Sequence, residues 1–168
     1  MKKIISLFLL VSIFLLSGCV QKDLIDVYLF AERFSERSEN FEIDTSSLVA
    51  EEENGELLFP ITFSDKFLIT VRTNEKTSLL TSVSVVYVYK DKKYISDKDF
   101  LLMKEIIESS VNAFTNFRNT DDIFENLSLE GKAKLLKYTH LHYEKEFYKF
   151  SLISDEVGIY FTASTERR

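Results

Sequence analysis

The sequence predicts an α+β domain, an antiparallel sheet of about five strands with helices packed on one face. Three observations carry that reading. Apolar and polar side chains alternate over 57–63, 67–71 and 77–89, and only short turns separate these runs, as in an antiparallel meander. Phe100, Met103, Ile107, Val111, Phe114 and Phe117 then recur at helical spacing. Val157, Ile159, Phe161 and Ala163 restore a period of two near the end of the chain.

Taken in order, the first element is an amphipathic helix over 23–38. Leu24, Val27, Tyr28, Ala31 and Phe34 share one side, and Asp23 is placed to cap the start. Residues 41–54 are polar and read as a solvated loop that ends in Glu51-Glu52-Glu53 before a turn at Gly55. Leu57, Phe59, Ile61 and Phe63 form the first strand, which Pro60 consigns to an edge or a bulge because it lacks an N–H. Ser64-Asp65-Lys66 turns the chain into Phe67, Ile69 and Val71. A third strand over 77–89 places Val83, Val85, Tyr87 and Tyr89 on one side.

Ser96-Asp97-Lys98-Asp99 supplies a helix cap, and the long helix that follows covers the sheet with one face. Thr120-Asp121-Asp122 opens a short helix to Leu127. Residues 129–140 read either as a loop or as a second short helix around 133–136. A final hairpin, 143–153 and 157–163, turns at Ser154-Asp155-Glu156. The predicted order is α-β-β-β-α-(α)-β-β. It is similar in topology, and in topology alone, to helix-grip and TATA-binding-like folds.

The N-terminus has a different character. Lys2 and Lys3 precede an apolar, uncharged run over 4–16, far shorter than the roughly 20 residues a transmembrane helix requires. Leu16-Ser17-Gly18-Cys19 follows at once. These residues resemble the lipobox of bacterial lipoprotein precursors, and the resemblance covers the signal and its junction. It implies a signal peptide over 1–18, thioether lipidation of Cys19 and cleavage between Gly18 and Cys19. It also implies a lipid-anchored location on the extracytoplasmic face of the cell membrane. A diacylglyceryl group supplies two chains, and two chains hold stably where one holds marginally. Residues 19–23 make a tether of about 14 Å at full extension, and 24–164 form a single domain.

Composition narrows the partners. Without Lys2 and Lys3, about 19 basic side chains face 27 acidic ones, a net charge of about −8. Nucleic-acid binding requires a basic face, so it is disfavoured. Cys19 is the only cysteine, which excludes an intrachain disulfide. The abundant aromatics, 15 Phe and 8 Tyr, read first as core.

Few residues carry chemistry. His140 and His142 are the two histidines, and they would face one side of a strand, with Glu144 or Glu146 as a third ligand. A zinc site takes three or four such ligands, and surface imidazoles flanked by Lys137 and Lys145 are the simpler reading. There is no Gly-x-Ser-x-Gly elbow, and Gly55, Gly131 and Gly158 are too scattered to cradle phosphate. Lys132, Lys134, Lys137, Lys145 and Lys149 make a locally basic stretch, interleaved with Glu130, Glu144 and Glu146. No catalytic residue and no cofactor is assigned. The sequence favours a non-catalytic binding or accessory module that holds an envelope protein or a small ligand. A ligand sensor with an aromatic pocket between the long helix and the sheet ranks second. An envelope hydrolase resting on His140 and His142 ranks third.

Overall fold

A computed structural model describes residues 25–90, 93–137 and 139–165. The signal-like segment, Cys19, the tether and the cap expected at Asp23 lie outside them. The described helix α1 spans Val27–Arg37 and is capped by Asp26, whose carboxylate accepts the Leu29 N–H at 2.8 Å. Its buried stripe is Val27, Phe30, Ala31 and Phe34, the i, i+3, i+4, i+7 pattern. Tyr28, expected on that stripe, is instead exposed.

The sheet has seven strands rather than five. They are β1 (Glu51–Glu53), β2 (Glu56–Thr62), β3 (Phe67–Asn74), β4 (Leu80–Val88), β5 (Thr139–Lys145), β6 (Tyr148–Ser154) and β7 (Gly158–Thr165). Their order is β1-β2-β3-β4-β7-β6-β5, with every neighbouring pair antiparallel. Two meanders therefore meet at the β4–β7 seam. Between them run α2 (Asp97–Thr115), α3 (Asp121–Asn126) and α4 (Lys132–Leu135).

Both additional strands have a physical explanation. Glu51-Glu52-Glu53, expected to be a loop, pairs with β2 through a two-residue turn. Asn54 and Gly55 both have positive φ there, at 53° and 78°, as a type I′ hairpin requires. Arg72 on β3 reaches this hairpin and lies 3.4 Å from Glu53 and 3.5 Å from Glu56. The segment expected to be one strand over 143–153 is in fact a hairpin. It turns at Glu146-Phe147, where Glu146 takes a left-handed φ of 57° without help from glycine.

Alternation sorts the sheet into two faces. Phe67, Ile69 and Val71, Val83, Val85 and Tyr87, Ile159, Phe161 and Ala163, and Phe150 and Leu152 are all buried under the helices. Phe100, Met103, Ile107, Val111 and Phe114 of α2 meet them and fill the interface along most of the helix. The opposite face is half-exposed. Register aligns Thr70, Ser84, Thr162, Ser151 and His142 in one row across it, and Leu68, Val86, Tyr160, Ile153 and His140 in the next.

A candidate ligand cleft at the N-terminal end of the long helix

The α2–sheet interface opens into a cleft at the N-terminal end of the helix. Three separate elements converge there. The β2–β3 turn contributes Lys66, whose carbonyl accepts the Val88 N–H at 2.9 Å and so ties the turn to the end of β4. Strand β4 contributes Tyr87, placed on the helix side by alternation. Its ring lies 5.2 Å from Phe67 and 5.7 Å from Tyr89. Helix α2 contributes Asp99 from its first turn, positioned because the Ser96 side chain caps the helix by accepting the Asp99 N–H at 3.0 Å.

Asp99 joins the three. Its carboxylate accepts from Lys66 Nζ at 2.8 Å and from the Tyr87 hydroxyl at 3.3 Å. Burial opposes the charge on Asp99, yet the hydrogen bonds from Lys66 and Ser96 outweigh it and hold the carboxyl below its ordinary range. Burial, seconded by the Asp99 charge, pushes the Tyr87 phenol up to about 12. Near neutral pH the phenol is therefore a donor and the carboxylate an acceptor. This network fixes the cleft floor.

The cleft holds about 880 Å³, within the range of small-molecule sites. Phe41, Phe67, Tyr87 and Tyr94 give it aromatic walls, and Lys66, Lys90 and Lys98 stand around them. Tyr94 is 60% exposed, and the Lys132 ammonium lies 5.7 Å from its ring centroid. Lys90 pairs with Asp65 at 2.8 Å, but both are well exposed, so water and salt readily screen the pair. Aromatic faces beside ammonium groups suit a ligand with a flat or apolar body and an anionic group.

A wider groove of about 990 Å³ runs along α1 and the segment that follows it. Glu32, Glu36, Glu39 and Glu42 make it acidic; Tyr28 and Phe41 are its aromatic lining, and no lysine or arginine is among the described residues that line it. Of the two, the cleft combines shape with recognisable chemistry.

The residues singled out from sequence lie elsewhere. His140 and His142 share the open face of β5, their rings 4.4 Å apart. Ile153 and Ser151 stand opposite them, and Glu144, further along that face, lies 3.5 Å from Lys149. Among the described residues no group of three His, Cys, Asp or Glu is placed to hold a metal. The lysine stretch divides among different partners: Lys132 bonds Asp97, Lys145 bonds Asp122 and Lys149 faces Glu144. It forms no continuous basic patch.

Lys66, Tyr87 and Asp99 are ordinary in sequence as a turn lysine, a strand tyrosine and a helix-start aspartate. What could have marked them is a phenol on the buried side of a strand, which requires a polar partner. No family model matches the chain, and neither a curated protein nor a solved structure matches it.

Proposed function

We propose that this protein is a non-catalytic ligand-binding module, anchored through lipidated Cys19 to the extracytoplasmic face of the cell membrane. The aromatic cleft at the start of α2 is the observation that carries the binding reading. It is preorganised by the Lys66–Asp99–Tyr87 network, and its exposed Tyr94, with the Lys132 ammonium 5.7 Å from the ring centroid, offers an aromatic surface beside a positive charge. The lipobox pattern carries the anchoring reading. Ile25 is buried, and its carbonyl accepts the Leu80 N–H at 2.8 Å. The chain thus enters the core six residues after Cys19, within at most about 21 Å of extended backbone. That short reach holds the Leu80 end of β4 near the headgroups, and the cleft at Tyr87 stands seven residues, about 23 Å, further along the strand, facing molecules that pass above the membrane surface.

Binding is tested with anilinonaphthalene sulfonate, an anionic aromatic fluorophore, titrated against the detergent-solubilised chain and then competed with envelope fragments. Tyr94→Ala and Lys98→Ala are expected to weaken the probe several-fold and to leave the unfolding midpoint in place. Unchanged probe binding in both variants would remove the cleft from the proposal. Anchoring is tested separately. Cys19→Ser is expected to abolish incorporation of labelled palmitate and to move the chain out of the membrane fraction. Retention of the label would sink that half.

A further inference from the structure

The two edges of the sheet differ. Edge strand β1 is three residues long and entirely glutamate, so like charge guards it against pairing with its own copy. Edge strand β5 is seven residues long and continuous, without proline or bulge, and among the described strands it pairs only with β6. A long, regular edge of this kind is a ready template for another strand.

We infer that β5 pairs antiparallel with β5 of a second copy of this chain, about a two-fold axis at His142. Symmetry restricts the choice. For the open face of one sheet to continue into the open face of the other, paired residues must lie on the same face, so the axis falls on a residue. Centring on Leu141 would set His140 against His142 and leave Glu144 without a counterpart. Centring on Tyr143 would also oppose His142 to Glu144, but it sets apolar Leu141 against Lys145 and carries His140 past the end of the partner strand. Centring on His142 sets His140 against Glu144 on the open face, twice, and Leu141 against Tyr143 on the helix face, twice. This register aligns the full strand, opposes an imidazole to a carboxylate, and matches apolar groups to each other. It joins two seven-stranded sheets into one, with both edges left over being the glutamate-guarded β1.

The geometry is open to direct trapping. Residues directly opposite in an antiparallel pair have Cα atoms about 4.5–5.5 Å apart, within the roughly 4.4–6.8 Å that a disulfide spans. His142→Cys in the full chain, oxidised in native membranes, is expected to give a disulfide-linked dimer on a non-reducing gel. Its yield should be several-fold above that of the parent chain, which controls for Cys19. It should equally exceed that of Ser84→Cys, which lies on the same face three strands from the edge. Adding His140→Glu opposes two carboxylates on each side of the axis and should cut the yield. Adding Glu144→His as well restores the pairing with its partners exchanged and should recover it. Cross-linking at His142 no better than at Ser84, or insensitive to His140→Glu, would overturn the inference. Because His142 and Ser84 stand away from the buried face, neither cysteine disturbs the core.

Discussion

Gly158→Ala is expected to lower the stability of the domain by about 3 kcal/mol, the upper end of what overpacking costs. Gly158 opens β7 and sits opposite Val88 at the seam where the two meanders join. A Cβ built there falls 2.3 Å from the Tyr87 carbonyl oxygen and 3.3 Å from its carbon. The obstacle is backbone, so no rotamer change relieves it. Nor can β4 easily retreat. The Val88 N–H is bonded to Lys66 O at 2.9 Å and the Tyr89 N–H to Val157 O at 3.0 Å, one on each side of the strand. On the β7 side, Asp155 holds the turn by accepting from the N–H groups of Val157 and Gly158 at 2.7 and 2.9 Å. The check is the urea midpoint, which should fall with little change in slope. A second effect follows because the strained residue is Tyr87. Displacing its backbone moves the phenol away from Asp99, so probe affinity should fall under conditions where the variant is still folded. A midpoint equal to that of the parent would show that β7 can slide.

Gly158 also illustrates what the sequence made legible and what it did not. Alternation in 67–71, 77–89 and 157–163 identified the three central strands, because these strands bury one face against helices and the pattern records that burial directly. The long helix was legible for the same reason. Strand β1 was not, since all three of its glutamates are exposed and it exists through backbone pairing and a favourable Asn-Gly turn. The β5–β6 turn lacked glycine, proline and asparagine, yet a trace of it was present. Inward-facing Leu141, Tyr143 and Lys145 are odd-numbered, whereas inward-facing Tyr148, Phe150 and Leu152 are even-numbered. A change of phase within one apolar stretch marks a two-residue turn.

The cleft was harder to foresee. Lys66 and Asp99 are 33 positions apart, and nothing local to either announces the other. Sequence reading attended to rare residue types, His140 and His142, whereas the structure assembles the cleft from common ones. Charge composition was similarly informative only in sum. From sequence, the acidic total sets an expectation against nucleic acid, but the lysines around the cleft are visible only after folding.

Glu105 marks a further long-range dependence, and Glu105→Ala is expected to lower stability by about 1–2 kcal/mol, the lower part of the range for charge-assisted hydrogen bonds, because Ser38 is half-buried but Glu39 and Asn40 are exposed and bond water once released. From the middle of α2 its carboxylate accepts four donors at the end of α1: Ser38 Oγ at 2.6 Å, the backbone N–H groups of Glu39 and Asn40 at 2.8 Å each, and Asn40 Nδ2 at 2.6 Å. One side chain thereby ends α1, fastens it to α2 and fixes the path into Phe41, whose ring packs 4.9 Å from Phe63 and walls the cleft. Burial works against the charge, but the bonds from Ser38, Asn40 and Glu39 prevail and hold the carboxyl below its ordinary 4.5. A carboxylate whose pKa is lowered by folding stabilises the fold fully above its unfolded value. That contribution is lost as pH falls through the folded value. The gap between parent and Glu105→Gln should therefore be widest above about pH 5 and should close as the solution is acidified below the ordinary carboxylate range. Parallel urea melts of the two chains across that range provide the measurement. A gap independent of pH would assign the effect to shape rather than charge. Loss of probe binding in Glu105→Ala, at a denaturant concentration where both chains remain folded, would trace the cleft wall back through Phe41 to this one carboxylate.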